Sequence, residues 1–383
     1  MPVEAVNRAS RVEISRSALE NNIATLRAVS GGVALAAVVK ANGYGVGAVQ
    51  LATIYQENNV AMLCVALVDE GIELRANAVT IPILVFAELD EHNTKLAFEN
   101  GLIATIGSVE GARFAVLCAK QLGGMHRVHV KLDTGMHRLG VDRENLDAVL
   151  DVLTSSQNIE IDGFYTHFSV ADESNPDHRS FTRTQIDLFN EAQHHVASRG
   201  IEVKNIHLAN TAGTVAFKEA HGTMVRCGLG LLGVAPQLWL ESVIGESAMT
   251  LRQAVSLHSK VSAVRRVPAG ARPSYGRRRE LEIDSNIATV PYGYADGYAR
   301  SLFAGGAEVL INAKRYPLAG QITMDQIVVD CGDDEVKIGD DVVLLGQQGD
   351  EFISANELAE RLDTITYEIF TMIATRVARV VVS

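Results

Sequence analysis

The chain has 383 residues, 47% of them apolar and 21% charged, with a net charge of −12. This length exceeds one ordinary domain, and the composition suits a soluble protein with a sizeable core. The acidic balance argues against nucleic acid or an anionic membrane as partner, because no basic field is present to attract phosphate. Cys64, Cys118, Cys227 and Cys331 are far apart and form no CxxC pair, which argues against a zinc site or a redox motif and suits a reducing compartment. The opening MPVEAVNRASRVEIS lacks the apolar centre of a signal peptide, and no apolar stretch reaches membrane-spanning length. A cytoplasmic protein is the expectation.

From residue 33 onward, short apolar runs alternate with amphipathic stretches. The runs are Val33–Val39, Ala61–Leu67, Pro82–Ala87, Leu102–Gly107, Val128–Leu132, Ile161–Phe168, Asn205–Ala209 and Met224–Leu229. Helix-like segments such as Leu146–Leu153 and Ser180–Ser198 lie between them. Eight strand–helix units over about 200 residues predict a (β/α)8 TIM-like barrel rather than an open sheet. Beyond about residue 245 the pattern changes. Val255–Val264 alternates with period two, and strand-like runs follow at Glu308–Ile311, Gln326–Val329, Asp341–Leu345 and Arg376–Val382. This predicts a mostly antiparallel β domain. Its one helix, near Ser354–Leu362, opens with a serine cap and Glu357 as a capping box. The expected domains are a barrel over 12–245 and a β domain over 246–383 that also takes residues 1–11.

A barrel puts chemistry at the carboxyl ends of its strands. Lys40 stands there, between the run Val33–Val39 and the glycine-rich turn Ala41–Gly47. Burying an ammonium is costly, so such a lysine suggests an amine held ready for a Schiff base. A lysine that merely reaches solvent from a strand end is the plain alternative, and the motif leaves both open. The segment Val130–Gly140 carries Lys131, Asp133, His137 and Arg138. Arg138 has the fork to hold a carboxylate or phenolate, although spacing alone favours a structural Asp133–Arg138 pair. Lys131, mid-strand, needs a partner or a modification. His167 follows another buried run and could stack on a ligand or relay a proton, with a hydrogen-bonded core histidine as the default. Gly228-Leu-Gly-Leu-Leu-Gly233 is a literal GxGxxG, but it follows the eighth run rather than the first strand of a βαβ unit. Its backbone amides are better suited to a single phosphate, with Arg226 entering the same site. His194 and His195 lie on a helical surface and lack the HExxH pattern. Tyrosines in Pro273–Gly276 and Pro291–Gly297 sit at turns, where they are usually packing residues.

Taken in order, these motifs resemble the alanine racemase family, whose members combine a pyridoxal-phosphate barrel with a β domain. The matches run through Val38–Tyr44, Lys131–Gly140, Tyr165–Asp172, His207–Ala212, Val225–Pro236, Ser274–Gly276, Tyr292–Tyr298, Met324–Gln326 and Tyr367–Arg379. The resemblance implies interconversion of L-alanine and D-alanine by two bases, supplying D-alanine for peptidoglycan. Lys40 would bind pyridoxal 5'-phosphate as an imine, and Tyr275 would be the opposing base, donated across a homodimer to the partner's site. Arg226 would face the pyridine nitrogen. Tyr44, Thr211, Gly228, Leu229 and Tyr367 would hold the phosphate, and His167 would lie by the ring. Arg138 and the Met324 backbone would receive the substrate carboxylate, Tyr294 would line the entry, and Lys131 would match a lysine that some members carbamylate. No metal is implied. The chain departs from the usual pattern at Val46, His137, Thr211, Gln321 and Thr323, none of which removes a named role.

Three other readings compete. A broad-specificity racemase could use the same scaffold, but the periplasmic kind would carry a signal peptide. A basic-amino-acid decarboxylase would show a cysteine–aspartate signature in the second domain, which is not seen. A non-catalytic pyridoxal-phosphate carrier would consist of the barrel alone, whereas this chain continues through Tyr275 and beyond.

Overall fold

The computed structural model describes residues 8–245 and 250–383. Its strands are β1 (Arg11–Ser15), β2 (Ala34–Val38), β3 (Met62–Val65), β4 (Ile83–Glu88), β5 (Ile103–Ile106), β6 (His126–Lys131), β7 (Ile159–Tyr165), β8 (Asn205–His207) and β9 (Met224–Cys227). They continue with β10 (Val255–Lys260), β11 (Ala263–Val267), β12 (Ser285–Val290), β13 (Glu308–Ile311), β14 (Lys314–Pro317), β15 (Ile327–Asp330), β16 (Asp341–Gln348), β17 (Glu351–Ile353) and β18 (Ala378–Val382). The chain divides into two compact units. Of the described residues, one holds 19–43, 48–245 and 250–252, the other 8–18, 44–47 and 253–383.

The first unit is an eight-stranded parallel sheet in the order β8-β7-β6-β5-β4-β3-β2-β9. It nearly closes on itself, with Thr223 N donating to Ile206 O at 2.9 Å and Arg226 N to Ala209 O at 2.9 Å. Each strand is buried on both faces, which is why the barrel strands read as continuous apolar runs. Ala36, Met62, Cys64, Leu84, Ile103, Tyr165 and Met224 fill the interior, all at 2% exposure or less. Helices follow the strands, and several of their starts carry side-chain caps. Ser108 Oγ accepts from Gly111 N at 3.0 Å, and Asn210 Oδ1 accepts from Gly213 N at 2.8 Å.

One interior position admits only glycine. A Cβ on Gly163 of β7 would lie 2.3 Å from Nδ1 of His129, a fully buried ring of β6. Gly163→Ala is therefore expected to destabilise by about 1–3 kcal/mol or more through overpacking, read as a lower urea midpoint. An unchanged midpoint would show that the ring can move aside.

The second unit contains a sheet in the order β14-β13-β16-β10-β1-β18, with β17 paired to β16, and a smaller sheet β11-β12-β15. All pairings are antiparallel except β1 with β18, where Ile14 faces Val381. The alternation over Val255–Val264 predicts one strand, but the structure breaks it after Lys260. Val261 N turns to Asp340 O at 2.9 Å and Ser262 N to Thr289 O at 2.8 Å, so β10 and β11 enter different sheets. The expected capping box at Ser354 is half formed. Ser354 Oγ accepts from Glu357 N at 3.0 Å, while the Glu357 carboxylate bonds Arg315 and Arg361 instead. Among the described residues no helix is long and apolar enough to cross a membrane. The expected boundary at 245/246 borders residues 246–249, and residues 1–7 likewise lie outside the described residues.

Candidate active site

Lys40 follows β2 at the carboxyl end of the barrel and opens a strained turn. Ala41, Asn42, Gly43, Tyr44 and Gly45 have φ of 52°, 53°, 61°, 57° and 81°. For L-residues that conformation costs about 1–2 kcal/mol each, so the turn persists only because its surroundings fix it. Glu70 does much of this. Its carboxylate accepts from Ala41 N at 2.5 Å and from Ala66 N at 2.7 Å, tying the turn after β2 to the turn after β3. Asn42 Oδ1 accepts from Ala48 N at 2.9 Å at the start of the helix Ala48–Glu57. Glycine is required at Gly43, where a Cβ would meet Leu51 Cδ1 at 2.7 Å.

The turn holds the amine half-buried. Burial, then the Arg138 cation, lowers the Lys40 pKa, and Glu70 opposes. Lys131, at the end of β6, is buried at 6% exposure. Burial, Arg138 and Arg226 bring its pKa down to about 8. His167 feels these charges together: burial first, then Arg226, Lys131, Arg138 and Lys40 hold its pKa well below the ordinary histidine value. The acidic chain thus concentrates cations at one barrel mouth, where an anionic ligand gains most.

Arg226 is 2% exposed, and both Nη groups of its guanidinium are held by neutral acceptors. Nη1 donates to His207 O at 2.7 Å and His207 Nδ1 at 2.9 Å. Nη2 faces Thr166 O at 2.7 Å, Leu208 O at 3.0 Å and His167 Nδ1 at 3.2 Å. Two strand ends and the ring of His207 therefore fix its plane. Beyond β9, Gly228 N donates to Thr211 Oγ1 at 3.2 Å, and Leu229–Leu232 form a 3-10 turn closed by Gly233 in the left-handed region. A Cβ on Gly230 would come within 2.6 Å of Thr211 Cγ2, so the glycine lets this loop approach the Thr211 hydroxyl.

Asp133 does not pair with Arg138, the partner that spacing favours. It accepts from the backbone N–H groups of Gly135, Met136 and His137 at 2.9, 3.0 and 3.1 Å and lies 3.3 Å from the His137 ring. An Asx-type turn meets the carboxylate locally, and Arg138 is left exposed.

The β unit groups the remaining residues in two places. The Tyr44 and Tyr367 rings pack at 5.7 Å. Their backbones are held too. Arg379 Nη2 donates to Gly45 O at 2.7 Å, and a Cβ on Gly45 would lie 2.3 Å from Phe370 O. Tyr275, Tyr294 and Met324 line one cavity of about 510 Å³ together with Arg300, Thr323 and Asp325. Tyr275 is 72% exposed there. Tyr294 N donates to Thr323 O at 3.0 Å, and the fully buried Asp296 two residues on is held by Arg8 and Arg376. Arg376 also reaches Asp325 at 2.6 Å, which anchors the loop beside Met324. Gln321 Nε2 donates to Arg300 O at 2.9 Å, so the departure at this position supports the cavity wall. Sequence reasoning missed Glu70, Arg300 and the buried His207, since none stands in a spacing pattern of its own.

Comparison with known proteins finds relatives that span nearly the whole chain. The sequence pattern of the alanine racemase N-terminal domain matches residues 14–236, and that of the C-terminal domain matches residues 254–381. An alanine racemase of Methanococcus maripaludis is 37% identical over 372 residues, covering 96% of this chain and 97% of its own. Alanine racemase 1 of Bacillus subtilis is 36% identical over 381 residues, covering 99% and 94%. The crystal structure of Bacillus anthracis alanine racemase with bound L-Ala-P superimposes with a TM-score of 0.89 at 35% identity, covering 98% of this chain and 95% of that one. With both of its domains matched in order, the chain belongs to the alanine racemase family.

Proposed function

We propose that the protein interconverts L-alanine and D-alanine with pyridoxal phosphate at the carboxyl-terminal mouth of the barrel, acting as a homodimer. The observation that carries this reading is the convergence of a half-buried amine and a buried guanidinium held through both Nη groups at one barrel mouth, in a chain of this family. The donor set fits the cofactor. Lys40 is an amine whose charge is disfavoured, which suits bonding to an aldehyde. Arg226 is a permanent cation that suits an unprotonated ring nitrogen. The Thr211 hydroxyl and the glycine-cleared loop at Gly228 and Leu229 suit a phosphate, with Tyr44 and Tyr367 as further phosphate holders. When bound, the cofactor supplies an electron sink that weakens the Cα–H bond of an attached amino acid.

The chain's own residues then do the positioning and the proton work. Lys40 would take or return the proton at one face of Cα, and the partner subunit's Tyr275 would serve the other face. Arg138 and the Met324 backbone would hold the substrate carboxylate, His167 would lie by the ring, and Tyr294 would line the entry. Lys131 is a candidate for carbamylation, because a pKa near 8 leaves a usable fraction of neutral amine. On the expected domains, the first base lies within the barrel, 12–245, and the second base within the β domain, 246–383 with residues 1–11. A cytoplasmic enzyme feeding D-alanine to peptidoglycan is consistent with four buried, free cysteines.

The test is chemical. Borohydride should fix the cofactor to Lys40, located by peptide mass spectrometry, and alanine should be racemised far faster than serine or lysine. A label on another lysine would defeat the site assignment. Equal rates for the three substrates would favour a broad-specificity racemase.

A further inference from the structure

Behind Arg226 runs a column of buried polar side chains that the proposed chemistry does not use. His207 Nε2 lies 2.9 Å from His129 Nδ1, and His129 Nε2 lies 3.6 Å from Asp162 Oδ2. Both imidazoles are fully buried and Asp162 is 4% exposed. Asp162 in turn accepts from Asn205 Nδ2 at 3.1 Å and lies 3.8 Å from Arg127 Nη1. The Tyr165 ring stacks on His207 at 4.7 Å and 9°, with its hydroxyl 2.8 Å from Thr105 Oγ1. The column thus runs through the barrel core across β9, β8, β6 and β7.

Donor and acceptor rules settle the protons. A guanidinium N–H can only donate, so His207 Nδ1 must present a lone pair to Arg226 Nη1. The His207 proton is therefore on Nε2, which makes His129 Nδ1 the acceptor. The His129 proton is then on its own Nε2, which lies 3.6 Å from Asp162 Oδ2 and has no hydrogen-bond partner among the described residues. Reversing the column would put a proton on His207 Nδ1, and two donors would face each other at Arg226. A carboxylate at the far end favours the same order, because it attracts the outermost proton.

We propose that Asp162 and His129 are positioning residues for Arg226: the carboxylate orders the protons of both imidazoles, so that His207 offers Arg226 a lone pair and holds its plane toward the ring nitrogen of the cofactor. Arg226 has neutral acceptors as its direct partners, and Asp162, with Arg127 beside it, is the carboxylate at the far end of the column. This inference rests on the pyridoxal-phosphate reading only for its effect on catalysis. The proton order itself is a property of the protein without cofactor.

The experiment has two arms. In the first, 15N spectra of histidine-labelled full-length protein, with and without pyridoxal phosphate, are recorded from pH 5.5 to 9. His207 and His129 should both be Nε2–H tautomers that do not titrate, and an Nδ1–H His207 or a titrating ring overturns the proposal. In the second arm, Asp162→Leu removes the acceptor and Asp162→Asn keeps an oxygen. For Asp162→Leu, kcat should fall about tenfold or more with KM within about twofold, in line with the loss of outer partners of oriented histidines. Its bound cofactor should show a shifted visible absorption band, and Asp162→Asn should recover part of both effects. A folded Asp162→Leu protein with unchanged band and kcat overturns the proposal. If Asp162→Leu does not fold, the tautomer measurement on the unaltered protein decides alone. A borohydride label away from Lys40 would defeat the functional reading yet leave the tautomer result standing, so the two failures are distinguishable.

Discussion

Replacement of Lys40 by arginine is expected to abolish racemisation in both directions, by about 10⁴-fold, the upper range for a positioned proton-transfer group. Arginine keeps the positive charge and most of the length but cannot give up its proton, so it can neither form an imine nor serve as a base. The native site works the opposite way. Burial and Arg138 disfavour the charged lysine, while the Glu70-held turn aims it. Lys40→Ala should behave similarly and, unlike the arginine variant, should regain some rate with added methylamine. The measurement is D-alanine formed from L-alanine, and the reverse, in separate assays. More than about one part in a hundred of native activity in Lys40→Arg would be too much for a group doing general-base work and would remove Lys40 from the chemistry.

Tyr275→Phe is expected to lower turnover by about 10²–10³-fold, again within the range for one acid–base group. The loss should be uneven in its signature. In deuterated water, exchange of the α-proton should persist from the enantiomer whose proton faces Lys40 and vanish from the other. A mixing experiment then tests where the tyrosine comes from. In a twofold dimer with Tyr275 donated to the partner, a Lys40→Ala chain paired with a Tyr275→Phe chain makes one intact site and one doubly damaged site. Statistical reassortment of the two inactive proteins should restore about a quarter of native activity. No recovery after subunit exchange, verified by native mass spectrometry, would mean that both bases act within one chain.

The barrel was largely legible because its strands are buried on both faces, so each of its eight runs stands out against the amphipathic helices between them. Legibility failed where tertiary contacts overrule local pattern. Nothing in the alternation of Val255–Val264 marks the break after Lys260, which the bonds from Asp340 and Thr289 impose. Lys40 was visible as a charge at the end of an apolar run, and the roles of Tyr275 and Arg226 came from the family resemblance. The column behind Arg226 was invisible for a physical reason. His129 sits in an ordinary-looking HRVHVK strand, and His129, Asp162 and His207 become neighbours only when β6, β7 and β8 are laid side by side. Likewise Asp133 and Arg138 have the spacing of a pair, but the turn between them delivers three nearer N–H groups.

The placement of β1 between β10 and β18 bears on how the chain is made. Residues 11–15 leave the ribosome well before their parallel neighbour, 378–382. The sheet therefore stays open at an inner seam until β18 has been made, with the barrel free to form in the meantime. Cutting the gene between its two family segments would not yield two self-sufficient parts, because the downstream piece would lack an inner strand that lies upstream. A polypeptide that runs unbroken from β1 through β18 is the smallest unit that can finish this sheet.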